Sequence, residues 1–115
     1  MAVFEMSVAV AAVIVHAAAK RGVEPAQLAA ASGFDLGLMQ DPDARISIEL
    51  ETRLWTEAAR LADDCALGAH AAELLEPGAF DVIDYAIRTA PNLRVGLTRL
   101  MRYNRLVHDV ARYAL

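Results

Sequence analysis

Residues 77–109, PGAFDVIDYAIRTAPNLRVGLTRLMRYNRLVHD, decide how the chain is read. They predict two consecutive helices joined at Ala90-Pro91-Asn92. In the first, Ala79, Phe80, Val82, Ile83, Tyr85, Ala86 and Ile87 leave only a narrow polar stripe of Asp81, Asp84 and Arg88. Spacings of three and four residues put that stripe on one face, with Asp84 and Arg88 placed to pair across a turn. A helix this apolar is expected to be buried on several sides. The second helix sets Leu93, Leu97, Leu100, Met101 and Val107 on one stripe and Arg94, Arg102 and Arg105 on the opposite face. The rest of the chain is then expected to pack around this pair.

Upstream, Ser47 is placed to cap an amphipathic helix over about Ile48 to Ala62. Leu50, Leu54, Ala58 and Leu61 form its inner stripe, Trp55 flanks it, and Glu49, Arg53 and Glu57 make an outer ladder at four-residue intervals. Asp64 is placed to cap a further helix from Cys65 to about Leu75, which Glu76-Pro77-Gly78 breaks. Nearer the start, Ser7 caps a helix running to about Lys20 and stopped at Gly22, with His16 and Lys20 on its wet side. Pro25 suits the first turn of a short helix over 26–32 that ends at Gly33. Asp35 caps one more turn through Gln40. Asp41-Pro42-Asp43 turns the chain, since proline keeps the residue before it out of helical geometry, and Arg45 and Ile46 are extended. At the other end, VARYAL (110–115) alternates like the start of a strand. The expected fold class is all-α, a compact bundle of about six helices.

Composition sets the bounds. A chain of 115 residues makes one domain with one core. Its apolar share of 57% exceeds the globular average, and the surplus is mostly alanine, which favours helix without adding core volume. A net charge of −4 disfavours general polyanion binding. The single cysteine, Cys65, excludes an internal disulfide and fits a reducing cytoplasm. Met6 to Ala19 imitates a signal-peptide core, but it lacks a basic leader, contains His16 and is too short to cross a bilayer. It reads as a buried first helix, with no membrane partner.

Few constellations suggest chemistry. His16, His70 and His108 are scattered without HxxxH or HExxH spacing, so no metal or other cofactor is expected. Cys65 sits beside Asp63 and Asp64, which disfavour a thiolate, and no nucleophile elbow or phosphate loop is present. No catalytic residue emerges, and Asp81 with Asp84 reads as a solvated or ion-paired stripe. Residues 26–40 imitate a helix-turn-helix, but the second element offers Leu36, Gly37, Leu38, Met39 and Gln40 between Asp35 and Asp41, which is wrong for phosphates and base edges. Asn104 interrupts an apolar side near Met101 and His108, and a buried amide needs a partner. With Tyr85, Tyr103 and Trp55 it forms the candidate ligand-pocket lining.

The order of motifs carries a resemblance. PGAFDVIDYAI, TAPNL and LRVGLTRLMRYNRL, preceded by LAAASGFDLGLMQDPDARISIE and LWTEAARLADDCALGAHAAELLEPGAF, resemble the N-terminal effector domain of AraC-type bacterial transcription regulators over roughly residues 10–109. The resemblance implies a cytoplasmic, non-enzymatic regulator whose N-terminal domain senses a small-molecule effector and forms a homodimer. DNA would be bound only through a separate C-terminal domain not in this chain. It also implies that these helices are one half of a larger α+β effector domain. The alternatives are a small helix-turn-helix protein using residues 26–40 and a ligand-free helical dimerisation module.

Overall fold

The hub of the molecule is the first helix, in a computed structural model that describes residues 4–114. A short strand β1 (Glu5–Ser7) leads into α1 (Val8–Lys20), where the Ser7 hydroxyl accepts a hydrogen bond from the Ala9 amide at 3.1 Å. The helix ends as expected, with Gly22 taking a φ of 86° that glycine adopts without strain. Val8, Ala11, Ile14, Val15, Ala17 and Ala18 are all buried, so core surrounds much of the helix. His16 and Lys20 face solvent.

The elements around α1 follow their local signals closely. In α2 (Pro25–Ser32) proline opens the helix and Gly33 closes it in the left-handed region. Ser32 is buried, and its hydroxyl donates to the Leu28 carbonyl at 2.8 Å and accepts from the Phe34 amide at 3.2 Å. The turn over 36–40 is a 3-10 helix capped by Asp35, with Leu36, Leu38 and Met39 against the core. Helix α3 (Ile48–Ala62) is capped by Ser47 and buries Leu54 and Ala58 completely, while Leu50 and Leu61 are half-buried. The expected ladder through Arg53 is replaced by a pair between Arg60 and Glu57 at 2.5 Å. Helix α4 (Leu67–Glu73) is shorter than expected, because Asp64 accepts from the Ala66 amide and stands against His70 Nδ1 at 2.7 Å.

That Asp64 contact yields a pH prediction. The His70 hydrogen bond, with lesser help from the Ala66 amide and Arg21, lowers the Asp64 pKa below its ordinary 3.8 against opposing desolvation. A lowered carboxyl pKa contributes stability above the unfolded value and loses it as pH falls through the folded one. The melting difference between the parent chain and Asp64→Asn should therefore be widest near neutrality. It should close on acidification below the ordinary carboxylate range, as thermal melts across a pH series would show. A constant difference would contradict it.

Two expectations need correction. The fold is not strictly all-α: β1 pairs antiparallel with β2 (Arg45–Ser47), in the register Glu5 with Ser47, Met6 with Ile46 and Ser7 with Arg45. Met6 also bridges His108 on its other edge. Strand-like pairing at the C-terminal end therefore falls at His108, and residues 110–114 form no regular strand; Leu115 lies outside the described residues.

The second correction concerns the centre of the molecule. Helices α5 (Val82–Arg88) and α6 (Leu93–Tyr103) pack mainly on each other, and the main core cluster contains no residue of either. Ile83 is the buried side chain of α5, whereas Val82 is 65% and Leu93 76% exposed. The two helices meet at Gly96, where a Cβ would stand in van der Waals contact, 3.4 Å from the Ile87 carbonyl oxygen. Arg99 donates to the Ala86 carbonyl at 2.7 Å, and Asp84 pairs with Arg88 at 2.8 Å as the spacing predicts. The helical start expected at Ala79 is lost to a turn, with positive φ at Gly78 and Asp81. Apolar circumference showed that α5 had surface to hide, and α6 hides part of it.

Candidate functional site

Between α1 and the α5–α6 hairpin the chain leaves open space. The floor is a stripe of α1, Ala9, Ala12, Val13 and His16, whose spacing turns it away from Ile14 and Ala18 in the core. The roof is the turn Gly78–Asp81, shaped by the left-handed φ of 91° at Gly78 and by 56° at Asp81. Over that turn stands Tyr85, whose hydroxyl would meet any Cβ at Gly78 at 2.7 Å.

The space has three parts. The largest is a cleft of about 770 Å³, walled by Ser7, Arg45, Phe80, Ile83, Leu106 and Val107 among others. A second of about 390 Å³ shares Ala9, Ala12, Gly78 and Ala79 with it and ends at His16 and Glu76. A third, about 240 Å³, lies beneath α5 and is lined by Ile83, Asn104, Val107, His108 and Tyr113. The third hollow is mainly apolar, whereas the two larger spaces present polar and apolar surface in nearly equal shares.

Arg45 is the cation of the large cleft, and its charge is already engaged. It pairs with Asp109 at 3.0 Å and lies 3.7 Å from the Glu5 carboxylate. It also donates to the Leu106 and Glu5 carbonyls at 3.1 and 3.3 Å. The cleft therefore presents an arginine committed to holding the chain in place. Asp43 and Asp81 line the same cleft, both exposed to solvent. Among the described residues no group of three His, Cys, Asp or Glu side chains is set to hold a metal ion. Cys65 is exposed and outside these walls.

The four residues singled out from the sequence do not gather at one place. Asn104 is 6% exposed and lines the smallest hollow, and its amide nitrogen donates to the Ala111 carbonyl at 2.5 Å. Trp55 is half-buried on α3 and donates to Glu51 at 3.2 Å. Tyr85 is half exposed, and Tyr103 stands on the surface with the Arg102 guanidinium 6.0 Å from its ring centre. Arg94, Arg102 and Arg105 are all exposed, as an outer face. Residues that build the cleft, notably Ala9, Ala12, Phe80 and Leu106, carry no chemical signal of their own. The available hint is the α1 stripe of small residues ending in His16.

Comparison with known proteins gives one finding. Residues 22–115 match the family described as the arabinose-binding domain of AraC transcription regulator, N-terminal. The matched span holds the cleft walls contributed by residues 39–45, 76–83 and 106–107, while the α1 floor precedes it. No curated protein and no solved structure matches the chain.

Proposed function

The chain belongs to the family of N-terminal arabinose-binding domains of AraC transcription regulators, and from that membership we propose that it senses a small-molecule effector in the cleft between α1 and the Gly78–Asp81 turn. The carrying observation is the cleft of about 770 Å³, with one wall from α1 and β2 and the other from the turn and start of a hairpin that packs on itself. That volume lies within the roughly 300–1,000 Å³ of small-molecule sites. An effector that offers several polar groups beside its apolar surface fits the lining. Asn104 belongs to this proposal through the adjoining hollow. Binding that prefers one placement of the hairpin shifts the regulator's population, with no chemical step. DNA contact and cytoplasmic residence follow the regulator role, through a domain separate from this one.

Self-association is part of the same proposal, supported by the exposure of Val82, Leu93, Leu106 and Tyr113 on the hairpin and the segment after it. Direct DNA reading by residues 26–40 is less favoured, since that span carries no lysine or arginine.

The test is a thermal-melt panel of sugars, amino acids, small aromatics and aliphatic acids, run beside light scattering over a concentration series. A compound at about a hundred times its Kd adds about 2.7 kcal/mol, several degrees in a domain of this size. Ala12→Leu, which fills the cleft floor, is expected to abolish that shift. A shift untouched by Ala12→Leu would remove the cleft from the proposal. Indifference to every compound, with a monomer at all concentrations, would count against sensing and self-association by this chain.

A further inference from the structure

Residues 104–109 run back from the hairpin along β1 as a strap, and we infer that this strap is the output element of the cleft: whatever fills the cleft strengthens its pairing to β1. The strap lies antiparallel on β1. The Ser7 amide donates to the Val107 carbonyl at 2.7 Å and the Asp109 amide to the Glu5 carbonyl at 3.0 Å, flanking the Met6–His108 bridge. The Glu5 amide returns a bond to the Asp109 carboxylate at 2.9 Å. From β2, Arg45 reaches across to Asp109 and to the Leu106 carbonyl, so one side chain fastens three segments.

The two ends of the strap differ in strength. Its base is the buried Asn104, whose carbonyl accepts the Val107 and His108 amides at 2.9 and 3.0 Å. The fastened tip is wetter, with the Arg45, Asp109 and Glu5 side chains 31%, 33% and 44% exposed. Water competes for such pairs, so the tip opens at a cost well below that of unfolding the core.

The fasteners are also cleft wall. Ser7, Arg45, Leu106 and Val107 all line the cleft of about 770 Å³, so an occupant of that part touches the residues that hold the strap. Leu106 is 58% exposed and lines the cleft, and an occupant lying between it and the α1 floor buries apolar surface only while the strap stays paired. That differential contact is what a ligand needs to bias a two-state element. The strap continues directly from α6, so its pairing also fixes where the hairpin sits.

The effector side of this inference rests on the sensing function proposed above, but its test needs no effector. Hydrogen exchange on the whole chain reads the Ser7 and Asp109 amides against the α3 amides of Leu54 and Ala58. Arg45→Met is expected to speed the first two about tenfold and leave the α3 pair unchanged. Ala12→Phe, a covalent occupant, is expected to slow Ser7 and Asp109 about threefold. Should loss of Leu54 protection show that Ala12→Phe does not fold, Ala79→Leu fills the same cleft from its roof. The inference is overturned if the folded cleft-filling variant leaves both amides at parental rates. It is equally overturned if Arg45→Met speeds Leu54 as much as Ser7. A ligand panel without hits would leave these two arms standing.

Discussion

Leu54→Ala is expected to lower the stability of the chain by about 2–5 kcal/mol, a large part of the roughly 5–15 kcal/mol available to a domain. Leu54 is fully buried on α3, which packs on α1, and half of the buried residues of α1 are alanine: Ala11, Ala17 and Ala18. Alanine has no side-chain freedom with which to collapse into the vacated space, so the cavity persists and its full cost is felt. Leu93→Ala is the matching control on α6. Leu93 is 76% exposed, and its loss should change stability by no more than about 0.5 kcal/mol. Urea unfolding of both variants decides between two centres for the molecule. If Leu93→Ala proved the costlier, the core would belong to the hairpin after all.

The second large effect runs against ordinary preference. Ala18→Leu adds apolar surface and keeps helix propensity nearly constant, yet it is expected to destabilise by about 1–3 kcal/mol. Ala18 is 0% exposed in the main core, and its carbonyl accepts the amides of Arg21 and Val23 where the chain turns out of α1. An isobutyl group there must displace α1 or that turn. Ala19→Leu, one residue on and exposed, should lie within about 0.5 kcal/mol of the parent. A tolerated Ala18→Leu in the same urea series would mean that α1 does not pack closely at this position. The alanine surplus is thus a packing device: small residues let α1 take neighbours on several sides at once.

Much of the local structure was legible because its causes are local. Ser7, Asp35 and Ser47 cap with their own side chains, accepting amides two or three residues ahead at 3.1, 2.9 and 3.1 Å. Pro25, Gly22 and Gly33 act through φ alone. The Asp84–Arg88 pair needs one helical turn, and the bounds of α3 follow from a cap and a clear period. The family was also readable, since it rests on the order of such motifs along the chain.

The misread features are those where two distant segments decide. Apolar faces on α5 and α6 promised a centre, but the main core forms where α1 packs against α2, α3 and α4 together. The pairing of Glu5–Ser7 with Arg45–Ser47 joins strands forty residues apart, and three-residue strands leave no usable alternation. Asn104 declared a need for a partner but not that Ala111 would answer it. By itself the sequence determined that these helices exist, where α1, α2 and α3 begin and end, and the family, because hydrogen bonds within a turn and fixed backbone angles require no third party. Which faces meet, where the cleft opens and what Arg45 holds were decided by tertiary structure, because burial and pairing are properties of two surfaces and each surface is written in a different part of the chain.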